Sequence, residues 1–110
     1  MVGDKSAGRL VKKLTIMRPP AVLALHLRRV LPTLTGFRKD STPVTFAPVM
    51  DIAPFCTFAG GGVGGKLQYR LVGVVQHLGD AYGGHYISYR RDADGEGWTL
   101  CNDANLSKVS

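Results

Sequence analysis

The run GGHYISYRRDADGEGWTLCND, residues 83–103, decides how this chain folds. From His85 to Arg91 its side chains alternate, with His85, Ile87 and Tyr89 on one side and Tyr86, Ser88 and Arg90 on the other. That is the period of a strand. Asp92 to Gly97 is a cluster of turn formers, and Asp94-Gly95 within it is a tight-hairpin signal. Trp98 to Asn102 returns as a second strand. If Asp94-Gly95 is a two-residue turn, Ala93 pairs with Glu96, Ile87 lies opposite Asn102 and His85 opposite Ala104. Residues two apart on a strand share a face, so His85 and Asn102 become diagonal neighbours within side-chain reach. A register shift of one would bring Asp103 to that face instead.

An imidazole beside a carboxamide or carboxylate is the arrangement a general base needs. One ring nitrogen takes a proton while the other donates to the partner, which fixes tautomer and orientation. Gly83 and Gly84 carry no side chains, so a substrate backbone can approach closely. His77 is placed to flank the site from the preceding strand. Each signal also has an ordinary structural reading: a strand histidine, a Gly-Gly bend, an Asn-Asp turn.

Upstream, Leu67 to His77 is aromatic and β-branched and free of proline, the strongest single strand pattern in the chain. Residues 10–16 and Ala21 to Val30 also read as strands, the latter with Ala21, Leu23, Leu25 and Leu27 on one face. Thr33 to Ser41 reads as a polar turn, Val44 to Phe46 as a brief strand, and Met50 to Ala53 is ambiguous. Leu106 to Val109 closes the series. No segment has a helical period. The glycine run Gly60–Gly65 reads as a flexible loop spanning 59–66, and residues 1–110 as one partial domain. The fold class expected is mainly β, built on an antiparallel sheet.

Composition narrows the function. Hydrophobic residues make up 45% of the 110, enough for a core. The net charge of +6 is spread over scattered pairs such as Lys12-Lys13 and Arg90-Arg91, without an aromatic ladder between them, which argues against nucleic acid as a partner. Two cysteines, Cys56 and Cys101, form neither a disulfide framework nor a metal quartet. No metal and no cofactor is expected. No apolar run approaches the roughly 18 residues of a membrane span, and the expectation is an intracellular protein of cytoplasm or nucleus.

Three strings together are similar to the histidine box of ubiquitin-specific proteases: Tyr69-x-Leu71-x-x-Val74-Val75-x-His77-x-Gly79, Gly84-His85-Tyr86-x-x-Tyr89, and Trp98-x-x-x-Asn102-Asp103. Residues 20–29, PAVLALHLRR, resemble that family's "LP-x-vL-x-lhLkRF" strand. Val44-Thr45-Phe46 with Met50-Asp51-Ile52 resembles its "v-x-FP-x-x-LDl" segment. The resemblance runs from about Leu14 to Val109. It implies the palm half of a papain-like cysteine protease domain, acting on ubiquitin and ubiquitinated proteins. It assigns His85 as the catalytic histidine, Asn102 as the residue that orients it, and Asp103 as an electrostatic support. Gly83, Gly84, Tyr86 and His77 fall on or beside the channel for the ubiquitin Gly-Gly tail.

The family's Gly-Asn-x-Cys nucleophile box has no counterpart in these residues. Cys101 adjoins Asn102, so its side chain belongs to the opposite face, and Cys56 has no helix N-terminus or neighbouring base to activate it. The resemblance therefore implies the C-terminal part of a deubiquitinating thiol protease, inactive by itself. The alternative is a non-catalytic ubiquitin-binding or regulatory fragment. An upstream in-frame box in a longer gene product would distinguish the two.

Overall fold

The computed structural model describes residues 8–57 and 66–109. Eight strands account for the regular structure: β1 (Val30–Thr33), β2 (Gly36–Lys39), β3 (Val49–Asp51), β4 (Gln68–Arg70), β5 (Gly73–Asp80), β6 (Gly83–Arg91), β7 (Trp98–Asn102) and β8 (Asn105–Val109). A 3-10 turn, Ala53–Phe55, follows β3. β5, β6, β7 and β8 form one antiparallel meander in that order, while β1–β2 and β3–β4 are separate antiparallel pairs. The described residues are mainly β, built on antiparallel pairing as expected.

The β6–β7 ladder joins Ser88 to Cys101, Tyr89 to Leu100, Arg90 to Thr99 and Arg91 to Trp98. This is the register expected from the sequence, although the corner differs. Asp94-Gly95 does not make a two-residue turn. Pairing stops at Arg91 and Trp98, and residues 92–97 form a wider loop closed by Asp92 N–H to Gly97 O (2.8 Å) and Gly95 N–H to Asp92 O (2.9 Å). The wider loop keeps the same centre as the expected turn, so every strand residue keeps its face.

The long strand expected over Leu67 to His77 is two strands. Leu71 and Val72 step between them: Leu71 N–H donates to Pro48 O (2.8 Å), and Arg91 N–H returns to Val72 O (2.9 Å). β4 thus pairs with β3, and β5 with β6. A uniformly β-branched run shows where strands are favoured but not where the pairing partner changes.

Three other expectations are corrected. Residues 10–15 carry no ladder, and Ile16 makes a lone parallel bridge to Cys56. Residues 21–29 and 44–46 are likewise extended without strand partners. Their alternation is real, but the apolar side chains face solvent, with Leu25 66% and Phe46 65% exposed. Conversely, the polar stretch Thr33 to Ser41 is not simply a turn, because it contains β2 and pairs back onto β1 across Leu34-Thr35. The ambiguous Met50 to Ala53 stretch resolves into the end of β3 and Ile52, only 2% exposed. The expected flexible loop 59–66 lies outside the described residues except for Lys66, as do residues 1–7.

Packing is thin. The chain exposes 9282 Å², against about 5,900 Å² expected for a folded monomer of its mass. Its radius of gyration is 19.3 Å, against about 13 Å for a compact domain of this length. Among the described residues the buried apolar side chains are Ile52 and Ile87. On the sheet face away from Ile87, Val75, Tyr86 and Leu106 stand open to solvent. No described helix is long and apolar enough to cross a membrane.

With so little core, polar pins matter. Asp92, at the end of β6, accepts from the Thr99 hydroxyl of β7 and from the Lys108 ammonium of β8 (2.7 Å). The Lys108 contact, then the Thr99 hydroxyl, holds the Asp92 carboxyl below its usual range. A depressed carboxyl binds fewer protons when folded than when unfolded, so its stabilisation is complete above the ordinary carboxylate pKa and is lost as pH falls through the folded value. The melting temperature of the sheet is therefore expected to fall as pH drops below about 4. In Asp92→Asn the melting profile across that window should be flatter, read by circular dichroism melts at stepped pH.

Candidate active site

The β7–β8 corner is a tight one. Asn102 pairs with Asn105 and leaves Asp103-Ala104 as the two-residue link, with Asp103 at φ 53°. Aspartate tolerates this left-handed region better than most residues. The corner fixes Asn102 at the last position of β7 and turns Asp103 back towards β6.

There the two residues meet His85. Its Nε2 lies 2.7 Å from Asn102 Oδ1 and 3.9 Å from the nearer Asp103 carboxylate oxygen. A carbonyl oxygen can only accept, so Nε2 carries the proton and donates, and the ring's lone pair is left on Nδ1. The imidazole is half-exposed and Asp103 largely exposed. The arrangement can do one thing chemically: offer an oriented nitrogen base on an open sheet face, with a carboxylate oxygen 3.9 Å from the same ring. Thus the neighbourhood of His85 and Asn102 expected from the strand spacing is present.

The other expected site residues are placed differently. Ala81-Tyr82 is a two-residue link closed by Asp80 and Gly83, so His77 pairs with Tyr86 and Leu78 with His85. By the pleat, His77 and Tyr86 lie on the face opposite His85. Their rings stack against each other there, centroids 4.7 Å apart. Parity across the short link carries this information, and reading Gly83-Gly84 as a bend obscures it.

The two glycines also differ. Gly84 has φ 150°, and a Cβ there would sit 2.1 Å from Leu78 O and 2.6 Å from His77 Nε2. Around Gly83 a Cβ would meet nothing within 4 Å. Gly84 is required by the protein's own close packing of β5 on β6, whereas Gly83 opens onto free space.

Neither cysteine accompanies the histidine. Cys101 pairs with Ser88 and projects from the face opposite Asn102. Cys56 follows the 3-10 turn at its C-terminal end and donates its thiol hydrogen to Ile52 O (3.3 Å). Among the described residues no group of three or more His, Cys, Asp or Glu could hold a metal.

Comparison with known proteins follows the same lines. A family model described as "Ubiquitin carboxyl-terminal hydrolase" matches residues 4–110. The chain is 42% identical over 92 residues to ubiquitin carboxyl-terminal hydrolase 45 of Mus musculus, covering 78% of this chain and 11% of that protein. It is 44% identical over 85 residues to ubiquitin carboxyl-terminal hydrolase 16/45 of Drosophila melanogaster, covering 71% of this chain and 8% of that one. Among solved structures it is similar to a chain of the Ubp8-Sgf11-Sgf73-Sus1 SAGA DUB module, with a TM-score of 0.77 and 30% identity, covering 87% of this chain and 21% of that chain. The chain therefore spans about a tenth of the length of these curated relatives and about a fifth of the matched structure.

The contrast between the glycines gives a direct check. Gly84→Ala is expected to destabilise the chain by about 1–3 kcal/mol, through strain and the two close contacts. Gly83→Ala should stay within about 0.5 kcal/mol of wild type. Denaturant melts of the two variants measure the difference.

Proposed function

The chain belongs to the ubiquitin carboxyl-terminal hydrolase family, and on that premise we propose that it supplies the histidine-bearing part of a deubiquitinating thiol protease. The observation that carries the reading is the 2.7 Å contact between His85 Nε2 and Asn102 Oδ1, which leaves Nδ1 free as a base. In this reading Nδ1 takes the proton of a cysteine thiol contributed from outside these residues. The thiolate adds to the carbonyl carbon of ubiquitin's terminal glycine, and the imidazolium returns its proton to the amine as the C–N bond breaks. Water, deprotonated by the same nitrogen, then releases the acyl group and regenerates the thiol. Asn102 holds the tautomer, Asp103 gives the site electrostatic support, and Gly83 borders the path of the Gly-Gly tail. His77 and Tyr86, on the other face, act through Gly84 by holding the β5–β6 ribbon in shape. The partners are ubiquitin and ubiquitinated proteins.

A second reading rests on the cysteines. Cys101 lies on the wrong face and Cys56 at the wrong end of its turn, so these residues alone would form a ubiquitin-binding surface without chemistry. In that case a nuclear magnetic resonance titration with ubiquitin moves the amides of Gly84 to Ser88, and no hydrolysis accompanies it.

Two experiments test these readings, and the second separates them. The 110-residue chain, mixed with a ubiquitin bearing a C-terminal electrophile, should form no adduct at either cysteine. Residues 8–109, exchanged for the matching segment of the mouse hydrolase, should sustain cleavage of a ubiquitin–fluorophore conjugate. There His85→Ala should lower kcat by about 10²–10⁴-fold, the usual contribution of a general base. Unchanged turnover in His85→Ala would remove the protease reading.

A further inference from the structure

His85 stands on an overhang. The β6–β7 ladder ends at Ser88–Cys101, so residues 83–87 of β6 have β5 as their one strand neighbour among the described residues. The segment that carries the imidazole is thus the tip of a two-stranded ribbon, an arrangement only marginally stable in water. Yet a contact of 2.7 Å to Asn102 demands a tip fixed to within a few tenths of an ångström.

Strand β2 meets that tip at two points. The Lys39 ammonium donates to His77 O (3.1 Å) and to Gly79 O (2.9 Å), two carbonyls on the outer edge of β5 that flank Leu78, the pairing partner of His85. At the turn itself, the Tyr82 hydroxyl oxygen accepts from Phe37 N–H (2.7 Å), and the two rings meet edge to face with centroids 6.3 Å apart. Gly36 makes room for this contact, since a Cβ there would sit 2.1 Å from the Tyr82 hydroxyl oxygen. Tyr82 is held in turn by its own N–H to Asp80 Oδ1 (2.9 Å). The contacts from Phe37 and Lys39, two positions apart on one strand, therefore bracket the ribbon from its turn to the partner of His85.

We infer that β2 is a strap that positions the catalytic histidine, with Lys39 and Tyr82 as its positioning residues: neither touches the imidazole, and together they hold the ribbon that presents it to Asn102. The functional meaning of the strap rests on the protease reading, but its mechanics do not. Removing the Tyr82 oxygen or the Lys39 ammonium frees the tip, while β7 and β8 keep their ladder.

The test uses the full 110-residue chain with Tyr82→Phe, Lys39→Met and the double variant. Tyr69→Phe is the control, since it deletes a comparable hydroxyl bonded to Pro20 O, on the separate β3–β4 pair. Amide hydrogen exchange and the ring-nitrogen spectrum of His85 are read together. Exchange at Gly79 to His85 should rise roughly two- to tenfold in each single variant, the effect of losing one ordinary hydrogen bond. Amides of residues 105–109 and the Tyr69→Phe protein should not change. In the double variant His85 should lose its pure Nε2–H tautomer signature, a change that general loosening elsewhere does not produce. Unchanged exchange at the tip, or a preserved tautomer in the double variant, overturns the inference. The protease reading fails separately, if His85→Ala leaves turnover of the exchanged hydrolase intact; the strap is then still judged by the exchange and tautomer data.

Discussion

The antiparallel register between β6 and β7 is the constraint on which the candidate site depends. With Ser88 against Cys101, parity alone puts His85 and Asn102 on one face and sends Cys101 to the other. One residue of slip would exchange the carboxamide of Asn102 for the carboxylate of Asp103 and bring the Cys101 thiol to the same face. The register is held by polar contacts more than by core. Asp92 ties β6 to β7 and β8 at one end of the sheet, and Arg91 reaches Leu71 O and Gly95 O while its guanidinium lies 4.8 Å from the Trp98 ring centroid. Both anchors sit at the far end of β6 from His85. They set the register, and the tip itself is left to the contacts of Lys39 and Tyr82 with their partners.

Much of this was legible in the chain, and the reasons are particular. His85 and Asn102 could be placed together because strand side chains repeat every two residues and the turn centre at Asp94-Gly95 was marked by its residues. Even a misjudged loop width left the parity intact. The break at Leu71-Val72 was not legible, because both flanks favour strands equally and only the positions of β3 and β6 decide where the partner changes. The alternation of Ala21 to Leu27 was legible as a pattern but not as a strand, since a pattern says which face wants burial and not whether a partner arrives. The link Asp80-Ala81-Tyr82-Gly83 was the missed local signal. Read as a hairpin corner, it would have sent His77 to the face opposite His85.

The contacts of Lys39 and Tyr82 lay beyond sequence reasoning altogether. A lysine at the end of a polar stretch and a tyrosine in a turn carry no mark that the one reaches Gly79, 40 positions on, and the other Phe37, 45 positions back. Gly84 shows a subtler gap. The sequence suggests that it makes way for a substrate, whereas in the structure Leu78 O and the His77 ring already crowd the space a side chain would need. The two roles are compatible, but only the second follows from the protein's own packing.

The three corners of the meander differ in a way that bears on how such a sheet can diversify. The loop over residues 92–97 already holds six residues, its centre can grow outward, and it closes at the end of β6 remote from the imidazole. The links at Ala81-Tyr82 and Asp103-Ala104 have two residues each, and each adjoins a member of the His85–Asn102 pair. An added residue at either would rotate its strand end and pull the pair apart. Inserted sequence, whether gained in evolution or grafted by design, is accommodated at the wide corner and excluded from the two narrow ones, so the geometry of the base also dictates where this architecture can acquire new loops.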